Sequence, residues 1–378
     1  MRKEIPITPD VLKWARERSG YKIEEISKRY KKIAEWENGK SFPTYNELEQ
    51  LSNKYKCPIA VFFFPEPPEL DRIEKSFRTL PNSEFERIPQ DVRMRLRKAR
   101  AMQISLHELY EEMNPAKKII VHDLTLNLSK NIHHFTNHVR SYLNVSLQEQ
   151  CSWNDEDMAF ENWREILYDH GVFTFKDPFK GHDFSGFCLY DDQFPIIYVN
   201  NKNAKTRQIF TLFHELAHLF FKTSGIDKQK DDYLKNLEND QRGIEVFCNR
   251  FSASFLVPDD DFEKKIKGIH LSEDVIISLS NTYKVSRELI SRKLLDRELI
   301  DQAYYEEKSK EWIDQANHKE NGENYYYNQI IYLGRKYIDF ALKKYHQNKI
   351  TIDQLSEYLN THVKNIGELE DTYFRRRV

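Results

Sequence analysis

Cysteine is scarce: Cys57, Cys151, Cys188 and Cys248 are the only four in 378 residues, and none has paired spacing. That excludes a disulfide framework or a thiolate metal ribbon and leaves reduced core cysteines. Long apolar runs are missing too. The longest wholly apolar stretch, residues 59–64 (IAVFFF), is far below the roughly 20 residues that span a bilayer. The opening segment MRKEIPITPD lacks the apolar stretch of a signal peptide. No sign of charge dominates, because 58 Lys and Arg against 60 Asp and Glu give a formal charge of -2. No global field therefore recommends nucleic acid or an acidic membrane. The expectation is a soluble cytoplasmic protein without membrane association, long enough for two or three domains.

What is present centres on residues 206–221, TRQIFTLFHELAHLFF. This stretch reads as one helix, apolar on nearly every face, that carries His214, Glu215 and His218. Histidines four residues apart project from the same side of a helix. Both imidazoles can then reach one metal ion, while Glu215 lies close to the water that such a metal activates. A helix buried on most sides normally excludes three polar side chains, since unpaired they cost roughly several kcal/mol each. Zn2+ is the expected cofactor, and Glu215 is the candidate catalytic base.

A third ligand has to come from elsewhere. His218 is followed by LFFKTSGIDKQKDDY, so the extended H-E-x-x-H-x-x-G-x-x-H pattern is absent. A carboxylate on a later helix is expected instead. Residues 241–256, QRGIEVFCNRFSASFL, form that helix, with Glu245 and Asn249 four apart on one face. Glu238 and Asp240 are nearer in sequence but sit in the charged approach KQKDDYLKNLENDQ, which reads as solvated. Asn249 suits an orienting hydrogen bond beside the ligands. An oxyanion donor is also needed, and Tyr198 and His182 are candidates by proximity to the strand region.

The rest of the chain organises around this helix. Residues 8–56 read as three or four short helices with tight turns, a helix-turn-helix candidate. Lys28, Arg29, Lys31 and Lys32 form a basic cluster there that is the candidate DNA-phosphate surface. Only KRYKKIAE separates Ser27 from Trp36, about one helical turn less than a full recognition helix needs. Residues 57–81 are a proline-punctuated connector, in which Phe62, Phe63 and Phe64 are expected to dock the small domain on the rest of the protein. Residues 89–113 read as a long helix. Aromatic and β-branched runs at 172–175, 186–190 and 195–200 read as a small antiparallel sheet. Helices at 273–282 and 286–299, a charged surface excursion at 305–325, and a helical pair at 326–345 and 351–363 complete the reading. The expected fold class is α+β and mostly helical, divided as 1–68, 69–143, 144–270 and 271–378.

The segments FTLFHELAHLFF and IEVFCNRFSASFLVP, with PIIYVN and GVFTF…FSGF before them, resemble the ImmA/IrrE metallopeptidases. The segment WENGKSFPT…PIAVFFFPEPP resembles the XRE-type helix-turn-helix domain that one branch carries. The resemblance implies a gluzincin-like zinc metallopeptidase domain in which His214, His218 and Glu245 bind zinc and Glu215 is the general base. It also implies cleavage of a helix-turn-helix transcriptional repressor within a bacterial stress or mobile-element circuit. The shortened turn at 28–35 departs from the pattern and weakens the case for DNA. The alternative is a DNA-binding regulator or antitoxin-like protein that uses the zinc fold as a platform for a toxin or other regulator.

Overall fold

The computed structural model describes residues 4–55, 57, 59–68, 88–179, 184–228, 239–316 and 325–375. By their internal contacts the described residues fall into two compact units, one up to residue 98 and the other from residue 99 on. Among the described residues no helix is long and apolar enough to cross a membrane.

The first unit is built from α1 (Pro9–Arg18), α2 (Ile23–Ser27), α3 (Ile33–Glu37) and α4 (Tyr45–Tyr55). Pro9 opens α1, where its missing N–H costs nothing. Leu12, Ala15, Ile26, Ile33, Trp36, Leu48, Leu51 and Phe62 close one core between them. The Glu of the WENG segment is structural: Glu37 accepts two hydrogen bonds from the buried Arg16 guanidinium, at 2.7 and 2.9 Å. Phe62 fills this unit's own core, while Phe63 and Phe64 are exposed. Thr8 ties the run in place by bonding the carbonyls of Phe62 and Phe64. Phe62 thus serves the core of its own unit.

Helix α5 (Gln90–Leu109) begins in the first unit and ends in the second. The second unit continues with α6 (Ile132–Leu143) and α7 (Glu156–Asp169), each opened by a side chain that caps it, Asn131 and Asp155. Then come β1 (Phe173–Asp177), β2 (Phe184–Leu189), β3 (Ile196–Asn200), α8 (Lys205–Phe220), β4 (Ile226–Lys228) and α9 (Asn239–Leu256). The sheet order is β1-β3-β2-β4. β1 runs parallel to β3, from Phe173 opposite Ile196 to Asp177 opposite Asn200, while β2 is antiparallel to both β3 and β4. The sheet is therefore mixed, not antiparallel. β3 returns between β1 and β2, and β1, β2 and β3 are buried along almost their whole length. Strands buried on both faces carry no polar alternation from which their order could be read.

Beyond α9 the unit is helical, with α10 (Glu273–Tyr283), α11 (Arg287–Leu295), α12 (Gln302–Ala316), α13 (Tyr325–Leu333), α14 (Arg335–His346), α15 (Ile352–Tyr358) and α16 (Ile366–Arg375). Residues 302–316 are helix α12, largely exposed as expected of a surface segment, with 317–324 outside the described residues. One expectation changes here: residues 326–345 are two helices broken at Gly334. The break has a physical cause. Gly334 adopts φ +88°, and a Cβ there would lie 2.6 Å from the Arg164 guanidinium. That buried guanidinium caps α13 by donating to the carbonyls of Ile331 and Tyr332, at 2.7 and 2.8 Å, and also bonds Thr174 O of β1.

Candidate metal centre

Helix α8 is the centre of the second unit. Twelve of its sixteen residues are buried, so tertiary packing sets its position more than propensity does. Asn200 at the end of β3 prepares its start. The Asn200 side chain bonds Phe184 O and accepts the N–H groups of Phe179 and Lys202. α9 packs beside α8 in the opposite direction through three aromatic pairs: Phe213 on Phe255 (4.3 Å), Phe220 on Phe251 (5.9 Å) and Phe221 on Phe247 (5.5 Å). Pairs of this kind add about 0.5–1.5 kcal/mol each beyond burial, and together they fix the register. The far end of α9 is held as well. Arg140, with its charge buried, donates to Phe255 O, and Gln150 donates to Leu256 O.

That register brings the polar residues together. His214 Nε2 and His218 Nε2 lie 3.2 Å apart. Glu245 Oε2 is 3.3 Å from the first and Oε1 is 3.3 Å from the second. Among the described residues these three form the one group with metal-holding geometry, and all three are buried. Nδ1 of His214 is 3.0 Å from Asn249 Oδ1. An N–H on Nδ1 donated to that oxygen leaves the Nε2 lone pair facing the other two donors.

Glu215, the helix neighbour of His214, is fully buried; its oxygens bond no nitrogen or oxygen donor, and the Cys188 thiol faces them. Burial pushes its carboxyl up to about 8, with the nearby His218 and the Cys188 thiol working against the rise and Asp227 and Glu245 adding to it. Burial also opposes ionisation of Glu245. There His218 and hydrogen bonds from both histidines outweigh it and hold that carboxyl well below its usual range. Two neighbouring carboxylates are thus driven in opposite directions. One is poised as an anion and the other as a proton carrier.

Several neighbours were not legible as site residues. Arg207, Thr211, His214 and His218 follow a 4-3-4 spacing and share one face of α8; that spacing was the available signal. Asp227, buried on β4, accepts from Thr211 Oγ1 (2.8 Å) and from Arg207 Nη2 (2.7 and 2.9 Å). Gly186 lets β2 approach α8, since a Cβ there would lie 2.6 Å from Thr211 Cγ2.

Gly225, just before β4, lies flat against the His218 ring. A Cβ at 225 would fall 2.5 Å from two ring carbons and 3.0 Å from Nδ1. The backbone cannot easily retreat, because Gly225 N–H bonds Cys188 Sγ and Gly225 O accepts from Cys188 N–H. Gly225→Ala is expected to turn the His218 ring and weaken metal binding about 10- to 100-fold, the range seen when support around a ligand is lost. Chelator competition measures it, and unchanged affinity with an unchanged circular dichroism spectrum would contradict the packing.

The remaining candidates separate. Tyr198 lies on the other face of the sheet, because Cys188 pairs with Ile197 on the α8 side while Phe187 pairs and stacks with Tyr198. It does not reach the centre. Asp240 is exposed in the first turn of α9. His182 and Glu238 lie outside the described residues. Lys28, Arg29, Lys31 and Lys32 are all exposed between and beside the five-residue helices α2 and α3.

Residues 168–295 match the family Peptidase_M78, described as the IrrE N-terminal-like domain. The match supports an ImmA/IrrE-like peptidase and spans the sheet, α8 and α9. No curated protein matches the chain.

Proposed function

We propose that this chain is a zinc-dependent endopeptidase of the gluzincin-like ImmA/IrrE type that cleaves a helix-turn-helix transcriptional repressor in a bacterial stress or mobile-element circuit. One observation carries the reading. The His214 and His218 Nε2 atoms lie 3.2 Å apart, and each faces a different oxygen of Glu245 at 3.3 Å. Two imidazoles on one tetrahedral zinc, with bonds of about 2.0–2.1 Å, bring their nitrogens to about that separation. His214, His218 and Glu245 are the ligands in this reading, and Asn249 orients His214. Bound zinc supplies a Lewis acid that activates water and polarises the scissile carbonyl. Glu215 takes the proton of the attacking water at its carboxylate and delivers it to the leaving nitrogen. A single internal cut in such a repressor, dependent on added zinc and read by intact mass, tests the reading.

The first unit is assigned as an XRE-like helix-turn-helix domain on its motif. A five-residue α3 offers little reach into a groove. We expect the four exposed cations to give weak, sequence-independent DNA binding at most. Its affinity should fall steeply with salt, roughly as the power of the number of phosphates neutralised. Tight binding to one duplex sequence at physiological salt would contradict this.

A further inference from the structure

Arg207 has no part in the proposed chemistry, yet its position gives it one in choosing substrate. It stands on the same face of α8 as the ligands, one turn beyond Phe210. Phe210 is half-buried, with its ring 6.4 Å from that of His214. The Arg207 guanidinium lies 5.3 Å from the Phe210 ring. It is anchored by Ser185 Oγ at 3.0 Å and by Asp227 at 2.7 and 2.9 Å, and its side chain is 30% exposed. Nε and Nη2 are thus occupied, whereas Nη1 makes no hydrogen bond among the described residues. A guanidinium held rigidly on one side with two N–H groups left over is a preorganised carboxylate donor.

We propose that Arg207 is a specificity-determining residue that selects an acidic side chain of the polypeptide substrate about three residues from the bond cut. This rests on the peptidase reading of the cleft. The spacing follows from geometry. Seven helix residues separate Arg207 from His214, a rise of about 10.5 Å. An extended chain covers that distance in about three residues at 3.3 Å each. β4 gives the same direction, since Gly225 sits at His218 and Asp227 sits at Thr211 and Arg207. A substrate strand laid beside β4 therefore runs from the metal ligands towards Arg207, passing Phe210, which takes an apolar side chain on the way.

The test uses zinc-loaded full-length protein and a synthetic random peptide library. Wild-type cleavage sites are mapped by mass spectrometry, and binding is read separately as the peptides retained by Glu215→Gln. Asp or Glu should be enriched over Lys or Arg at the third position on one side by about tenfold, the scale of one well-placed charge pair. The same enrichment should appear among the retained peptides. Arg207→Gln should abolish it by raising KM with kcat held, and Arg207→Lys, which keeps the charge, should keep part of it. Wild-type cleavage without a charge preference overturns the proposal and leaves the peptidase reading intact. Loss of all cleavage in Arg207→Gln and Arg207→Lys alike, in step with their melting temperatures, also overturns it and makes Arg207 a structural clamp. Acidic peptides retained by Glu215→Gln while wild type cuts nothing would instead support the anchor and overturn the peptidase reading.

Discussion

Glu215→Gln is expected to fold, bind zinc and bind substrate as wild type does, and to lose cleavage by roughly 10²- to 10⁴-fold, the usual contribution of a general base. The amide has nearly the shape of the carboxylate, and the bond the swap could weaken is the weak one from the Cys188 thiol. A fully buried carboxylate faced only by a weak thiol donor is costly and calls for a functional reason. An apolar residue of similar volume would pack the same space at lower cost. The loss should therefore fall on turnover with the melting temperature held. Use of the zinc fold only as a protein-binding platform predicts the opposite, since a structural metal needs no base. Quantitative cleavage kinetics beside metal content for both proteins separate the two, and equal rates would favour the platform.

Glu245→Ala is expected to have the largest effect on the metal itself. It removes one of the three proposed ligands and leaves two imidazole Nε2 atoms 3.2 Å apart with no anion between them. The buried carboxylate that faces both imidazoles at 3.3 Å is lost with it. Zinc occupancy should fall sharply, and with it the rise in melting temperature expected when zinc is added to wild type. Glu238→Ala and Asp240→Ala should stay near wild type, the latter because Asp240 is exposed at the start of α9. Metal analysis after dialysis reads this. Zinc kept by Glu245→Ala and lost by either of the other variants would place the third ligand elsewhere.

The parts of the site that could be read from sequence share a physical property. His214 and His218 stand out because polar residues at helical spacing in an apolar stretch need a reason to be buried. Glu245 stands out for the same reason on α9, and Asn249 follows it by one turn. What could not be read depends on contacts between distant segments. Asp227 and Gly225 belong to a short edge strand and its approach, too brief to announce themselves, and their importance comes from meeting Arg207 and His218 in space. Tyr198 was misplaced by one residue of register, which in a strand is the difference between the two faces. The parallel pairing of β1 with β3 was hidden by uniform burial. The break at Gly334 was hidden because its cause, Arg164, sits 170 residues earlier in the chain.

The central claim is that this buried cluster cuts a polypeptide when it holds zinc. The most direct measurement is the intact mass of a helix-turn-helix repressor after incubation with the full-length protein that has been stripped by chelator, reloaded with zinc, or loaded and carrying Glu215→Gln. Two complementary fragments from one internal cut are expected with the reloaded wild type, and intact repressor with the other two. Fragments that persist after chelation and in Glu215→Gln alike would contradict the claim.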